Sequence, residues 1–210
     1  MAGYGIILNP RIDKYIAETV DMYESVVETL GHITVLEWSA TEAAAASTNA
    51  VHAAITLGAS AQTITTAITN PPCARNITIT CAKASGGGAM SGNVVITGTN
   101  ILGETISETI AEGADDTYEG KVAFATVTSI AVPVKTNTGD TVAIGYGDIL
   151  GVPFYLNYVD QLIQCSLNNV IETTRATVTA DDDEMEKNTI DLNSALNGKI
   201  VRAYLIVYAE

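Results

Sequence analysis

From Val51 to Tyr146, short apolar runs with a period of two alternate with clusters of turn residues. Period two sends successive side chains to opposite faces of an extended chain, so each run reads as a β-strand. Strands are expected near residues 51–56, 62–66, 76–81, 93–97, 104–111, 122–132 and 141–146. Asn70-Pro71-Pro72, Ser85 to Gly88, Asn100 to Gly103, Gly113 to Asp116 and Asn137 to Asp140 supply the turns between them. The alternation is cleanest in Asn76-Ile77-Thr78-Ile79-Thr80 and in Thr105-Ile106-Ser107-Glu108-Thr109-Ile110, where isoleucine takes one face and Thr, Ser or Glu the other. Strands so patterned are half buried and half wet, which fits antiparallel pairing rather than a parallel α/β sheet. Ile77, Ile79, Val95, Ile106, Ile110, Val127, Ile130 and Ile144 are the expected core residues of this region.

The flanks read differently. Asn9 is a good N-cap and Pro10 stands at the first helical position, where its missing N–H costs nothing. Ile12, Tyr15, Ile16, Thr19, Tyr23, Val26, Val27 and Leu30 then recur at three- and four-residue steps, and Gly31 is placed to end the helix. An amphipathic α-helix over residues 10–30 is therefore expected. His32 to Trp38 reads as a strand, and Ser39 to Asn49 as helix or loop. Further strands are expected at 154–158, 162–170, 176–179 and 200–208, the last nearly continuous and hence central, with Asn197-Gly198 as a hairpin turn. The expected fold class is all-β, an antiparallel β-sandwich, Ig-like or jelly-roll-like, with one N-terminal helix. Residues 1–30 form an arm and helix. Residues 31–210 form either one sandwich, or a base of 31–58 and 152–210 carrying 59–151 as an inserted sandwich.

Charge narrows the function. With 24 acidic and 10 basic residues the formal charge is −14, the wrong sign for displacing counterions from nucleic acid or for resting on an anionic membrane. Charged residues are nonetheless only 16% against 47% hydrophobic, so the chain is expected to fold. The start has no basic n-region, and no run approaches the roughly 18–20 apolar residues of a membrane span. Synthesis in a cytoplasm is expected. There Cys73, Cys81 and Cys165, odd in number and without C-x-x-C spacing, would stay reduced, although spacing alone leaves a Cys73–Cys81 bridge open.

No motif passes its chemical test. Gly113 to Lys121 has the wrong glycine spacing for a phosphate loop, and no Ser or Thr follows Lys121. Asp181-Asp182-Asp183-Glu184 with Glu186 offers hard-cation ligands, but Met185 and Glu186 break the EF-hand pattern, which leaves a solvated acidic loop. His32 and His52 have no nucleophile or ligand partner at a useful spacing, and Ser85 and Ser91 form no nucleophile elbow. The expectation is no catalytic residue, no cofactor and no metal.

A longer pattern carries a resemblance. Asn70-Pro71-Pro72-Cys73-Ala74-Arg75-Asn76-Ile77-Thr78-Ile79-Thr80, followed by the run from Gly92 to Glu104, resembles a tailed-bacteriophage virion protein family. Similar blocks occur at Gly120 to Ile130, Gly145 to Pro153 and Asn188 to Gly198, so the likeness spans most of residues 51–210. Its motifs are structural and encode no chemistry. The resemblance implies a head decoration or minor capsid protein, whose partners would be the major capsid protein and copies of itself, with a trimer the first expectation. The charge favours the outer head surface, because packaged DNA would repel so acidic a chain. A tail or fibre module that binds a host-surface glycan is the alternative. On physical grounds alone, Tyr4, Ile6, Ile7 and Leu8 lack a partner within their own stretch, and Arg11 and Lys14 are the first basic residues of the chain. These six are the candidate partner-binding residues.

Overall fold

A computed structural model describes residues 31–208, and within them every strand pairing is antiparallel. The expected helix over residues 10–30 and the six candidate contact residues lie outside the described residues. The chain is all-β there, its helical structure limited to short 3₁₀ turns at Val159–Gln161 and Met185–Lys187.

Numbered along the chain, the strands form three sheets. The first runs β1 (Gly31–Trp38), β14 (Val201–Tyr208), β10 (Leu162–Leu167) and β11 (Val170–Ile171). The second runs β12 (Thr177–Thr179), β13 (Thr189–Asp191), β9 (Thr141–Gly151), β4 (Arg75–Ala82) and β7 (Asp116–Phe124), and β2 (Ser47–Thr56) also pairs with β9. The third runs β3 (Gln62–Ile64), β8 (Thr126–Val132), β5 (Asn93–Thr99) and β6 (Thr105–Ala111).

Two hydrophobic cores result. One gathers Val51, Ile77, Ile79, Ile96, Phe124, Ile130 and Ile144 from the second and third sheets. The other gathers Trp38, Leu150, Leu162, Leu167, Ile190, Val201 and Leu205 from the first sheet and the β12–β13–β9 end of the second. β9 serves both. Its Val142 and Ile144 enter the first core and its Leu150 the second, while β2 pairs with its first half and β13 with its last residues.

Several local expectations need correction. Residues 122–132 are two strands, because the chain leaves the second sheet at Phe124 and joins the third at Thr126, with Ala125 N–H donating to Thr99 O at 2.8 Å. Residues 162–170 turn back on themselves at Asn168-Asn169, whose φ of 51° and 65° are the two positive values a type I′ turn requires. Residues 154–158 form a loop. Asn197-Gly198 does adopt positive φ, but β13 before it and β14 after it belong to different sheets, so no hairpin forms. Val95 points away from the core and Val94 and Ile96 point in, a one-residue slip that exchanges the faces of β5. β4 is not half wet either, because Thr78 is buried. β14 is central as expected, between β1 and β10.

Candidate functional site

The most heavily built position in the fold is the start of β4. Between Arg75 and Ile77 a two-residue step on β4 is matched by a four-residue step on β9, from Leu150 to Tyr146. Between Asn76 and Thr78 the same happens on the other edge, from Ala123 to Glu119 of β7. Both neighbours therefore bulge away, and backbone groups leave the ladder in the interior, where an unpaired one costs free energy. Two side chains replace the missing ladder bonds. Arg75 donates from Nε to Gly147 O at 2.8 Å, and Nη2 reaches the same oxygen. Asn76 donates from Nδ2 to Gly120 O at 3.1 Å and accepts from Ile149 N–H at 3.1 Å. Gly147 is required here, because a Cβ would stand 2.6 Å from the Asn76 amide.

Arg75 is fully buried and still charged-partnered. Nη2 lies 3.2 Å from Asp148 Oδ1, Nη1 donates to Ala44 O at 3.0 Å, and the guanidinium stacks 4.4 Å from the centre of the Tyr146 ring. Burial pushes its pKa down, opposed by Cys73, Asp148 and Tyr146. The side chain thus pins β4, β9 and the segment joining β1 to β2. It is a tie rather than a binding group, since its donors are turned inward onto carbonyls.

A cleft of about 150 Å³ opens beside this tie, lined by Leu36, Trp38, Glu42, Cys73, Ile101 and Pro153 among others. Cys73 Sγ donates to Glu42 O at 3.4 Å, and burial above all pushes the thiol up to about 11. A thiol held protonated is a poor nucleophile. All three cysteines are unbridged.

The acidic loop is occupied with itself. Asp181 Oδ1 accepts the N–H groups of Asp183 and Glu184 at 2.9 and 2.8 Å, bonds that hold its carboxyl below the usual range. Glu184 pairs with Lys187, and Glu186 accepts from Asn100 Nδ2 at 3.3 Å at the tip of the β5–β6 hairpin. Beneath the loop, buried Asn188 donates to Asp181 O and Glu184 O at 2.8 and 3.1 Å and accepts from Leu156 and Asp181 N–H at 2.8 and 3.0 Å. Among the described residues no group of three or more His, Cys, Asp or Glu side chains is placed to hold a metal ion. His32 is exposed, and His52 Nδ1 lies 2.7 Å from Ala53 O.

A buried acid and a half-buried one lie elsewhere. Glu112 is 8% exposed, and neither carboxylate oxygen has a hydrogen-bond partner. Burial, and then the charge of Asp140, push its pKa up. Burial likewise raises Glu108, whose Oε1 accepts from Lys121 N–H at 2.6 Å while Oε2 is unpartnered. Asp140 shows the opposite outcome. Burial opposes its ionisation, but Ala84 N–H at 2.9 Å and Asn137 N–H at 2.6 Å outweigh it and hold the pKa down.

A pH-dependent stability follows for Glu112. An acid raised in the folded state contributes most below its unfolded value and loses that contribution as pH rises through the folded value. Glu112→Gln removes the ionisation. The variant is expected to be more stable than the parent at pH 8 by about 1 kcal/mol, or roughly 2–4 °C in Tm, with the gap closing toward pH 4. Thermal unfolding across that range checks it, and a gap independent of pH would contradict the assignment.

One surface feature is an apolar sheet face. Ile33 and Val35 of β1 are 51% and 49% exposed, and they pair with Ile206 and Tyr204 of β14. Directly opposed residues in an antiparallel pair share a face, so these four lie together. The next pair on that face is the Glu37–Arg202 ion pair at 2.6 Å. Comparison with protein-family models, curated proteins and solved structures returned no match for this chain.

Of the residues singled out from sequence, the acidic loop and both histidines fall at separate places. Arg75, Asn76 and Asn188 were missed as organising residues. The available signal was an Arg-Asn pair at the head of an otherwise alternating strand, where the period predicts apolar or exposed positions.

Proposed function

We propose that the chain is a non-enzymatic structural protein of a tailed-bacteriophage virion, which binds the outer capsid surface and stabilises or decorates the head. The observation that carries this reading is where the family-like blocks fall. Asn70 to Thr80 contains the Arg75–Asn76 tie, Gly92 to Glu104 is β5 with its Asn100 turn, and Gly145 to Pro153 is the bulged half of β9. The blocks thus coincide with the parts that hold the framework together, as expected of a family related by architecture.

In this reading the paired sheets form an antiparallel sandwich, Ig-like or jelly-roll-like. Residues 59–151 are carried as an inserted unit on a base made from residues 31–58 and 152–210. The acidity keeps the protein outside the shell, where packaged DNA does not repel it. Tyr4, Ile6, Ile7, Leu8, Arg11 and Lys14 make the contact with the major capsid protein, and a cyclic assembly, first of all a trimer, multiplies modest contacts across the lattice.

The test is rebinding of purified protein to heads assembled without it. Saturable binding at a fixed number of sites per head is expected. Deleting residues 2–8 should lower that affinity at least tenfold while leaving Tm within a degree. Failure of the full chain to bind heads would overturn the reading, and full binding by the deletion variant would move the contact elsewhere on the protein.

A further inference from the structure

The β1–β14–β10–β11 sheet has one side in the second core, and its other side is uncovered among the described residues. That outer side is apolar across the strands. Ile33 and Val35 lie beside half-buried Ile206 and Tyr204, and Ile171 of β11 stands opposite Ser166, itself opposite Arg202. Five of the ten large apolar side chains exposed among the described residues belong to this sheet: Ile33, Val35, Ile163, Val170 and Ile171. β14 is apolar at both alternating positions from Ala203 to Val207, the pattern of a strand covered on two sides. We propose that this face is the contact between two copies of the chain, set sheet on sheet about a two-fold axis.

Charge selects the occupant. A chain of formal charge −14 repels its own copies, so a self-contact needs surface without net charge. The strands of this sheet carry one acid and one base, Glu37 and Arg202, already paired at 2.6 Å. No net charge remains on them to repel an identical face, or to recruit a charged partner. Size agrees. At the spacing and rise of β-strands, the four strands present a flat footprint on the order of 400 Å² per copy, before side-chain relief is counted. Two such faces remove about 800–1,000 Å² from water, the range of weak, reversible complexes. A face that meets its own image forms an isologous pair. The contact rests on the sheet alone and holds wherever the chain resides.

Sedimentation velocity of the full chain over a concentration series tests it, at moderate salt so that net repulsion is screened. A reversible monomer–dimer equilibrium is expected. Val35→Lys sets like charges against each other in the apolar contact and should weaken the dimer at least tenfold. Ser107→Lys, exposed on β6 of the third sheet, should leave it unchanged. Circular dichroism checks that each variant is folded. If Val35→Lys does not fold, Ile33→Thr with Val35→Thr keeps the β-branched shapes and should weaken the dimer in the same sense. A chain that stays monomeric at every concentration would overturn the proposal and leave the face to another occupant. A trimer would overturn it too, as would a dimer that the β1 changes leave intact or that Ser107→Lys weakens equally.

Discussion

Replacing Arg75 by Met is expected to destabilise the protein by about 3–5 kcal/mol, the range for removing one partner of a buried charged network. The cost has an identifiable origin. Gly147 O and Ala44 O lose their donors in the interior, Asp148 loses its counter-charge, and Tyr146 loses the stacked guanidinium. Gly147 O has no ladder bond to return to, because β9 bulges away from β4 at that point. Arg75→Lys keeps the charge but presents one compact donor head instead of a planar fork, so it cannot serve Gly147 O and Ala44 O together. About half the loss should remain in that variant. Denaturant unfolding measures both, and a loss below 1 kcal/mol in Arg75→Met would show that the bulge is satisfied some other way.

Asn188→Ala carries the second large effect, about 2–4 kcal/mol, from several buried backbone groups orphaned at once. The effect is local as well as global. The amides of Leu156 and Asp181, which donate to Asn188 Oδ1, should lose hydrogen-exchange protection ahead of the rest of the chain. Asn188→Asp should do little better, because a carboxylate cannot donate to Asp181 O or Glu184 O. Retained protection at Leu156 in either variant would contradict the role given to this side chain.

These two residues also mark where sequence reading stops. The period-two signal located β4, β5 and β6 closely, because hydrophobic alternation and turn residues are local properties. It failed where the decisive partner is distant. Nothing near Ala125 announces that the chain changes sheets, since the contact that bends it there is with Thr99. Asn168-Asn169 was legible in principle as a type I′ turn, but the apolar residues on both sides masked it. Val95 was misplaced because Val94, Val95 and Ile96 are all apolar, and only the packed sheet decides which of them face inward.

The candidate site was less legible still. Arg75 and Asn76 answer bulges in β7 and β9, strands about forty-five and seventy residues further along the chain. Likewise Asn188 gains its meaning from the loop at 156 and the turn at 181, and only the latter is close in sequence. The acidic cluster, conspicuous in the sequence, is largely committed to shaping its own turn and to Lys187 and Asn100. Chemistry-bearing residues that draw attention in one dimension thus have a framework use here, while the organising residues look ordinary.

The central claim concerns location, and imaging of the assembled particle tests it most directly. Cryo-electron microscopy of virions that contain the chain, beside virions from which its gene is deleted, should show difference density on the outer face of the head at symmetry-related positions. The density should accommodate the β body of residues 31–208. Difference density confined to the tail or fibres, or lying inside the shell, would contradict the account.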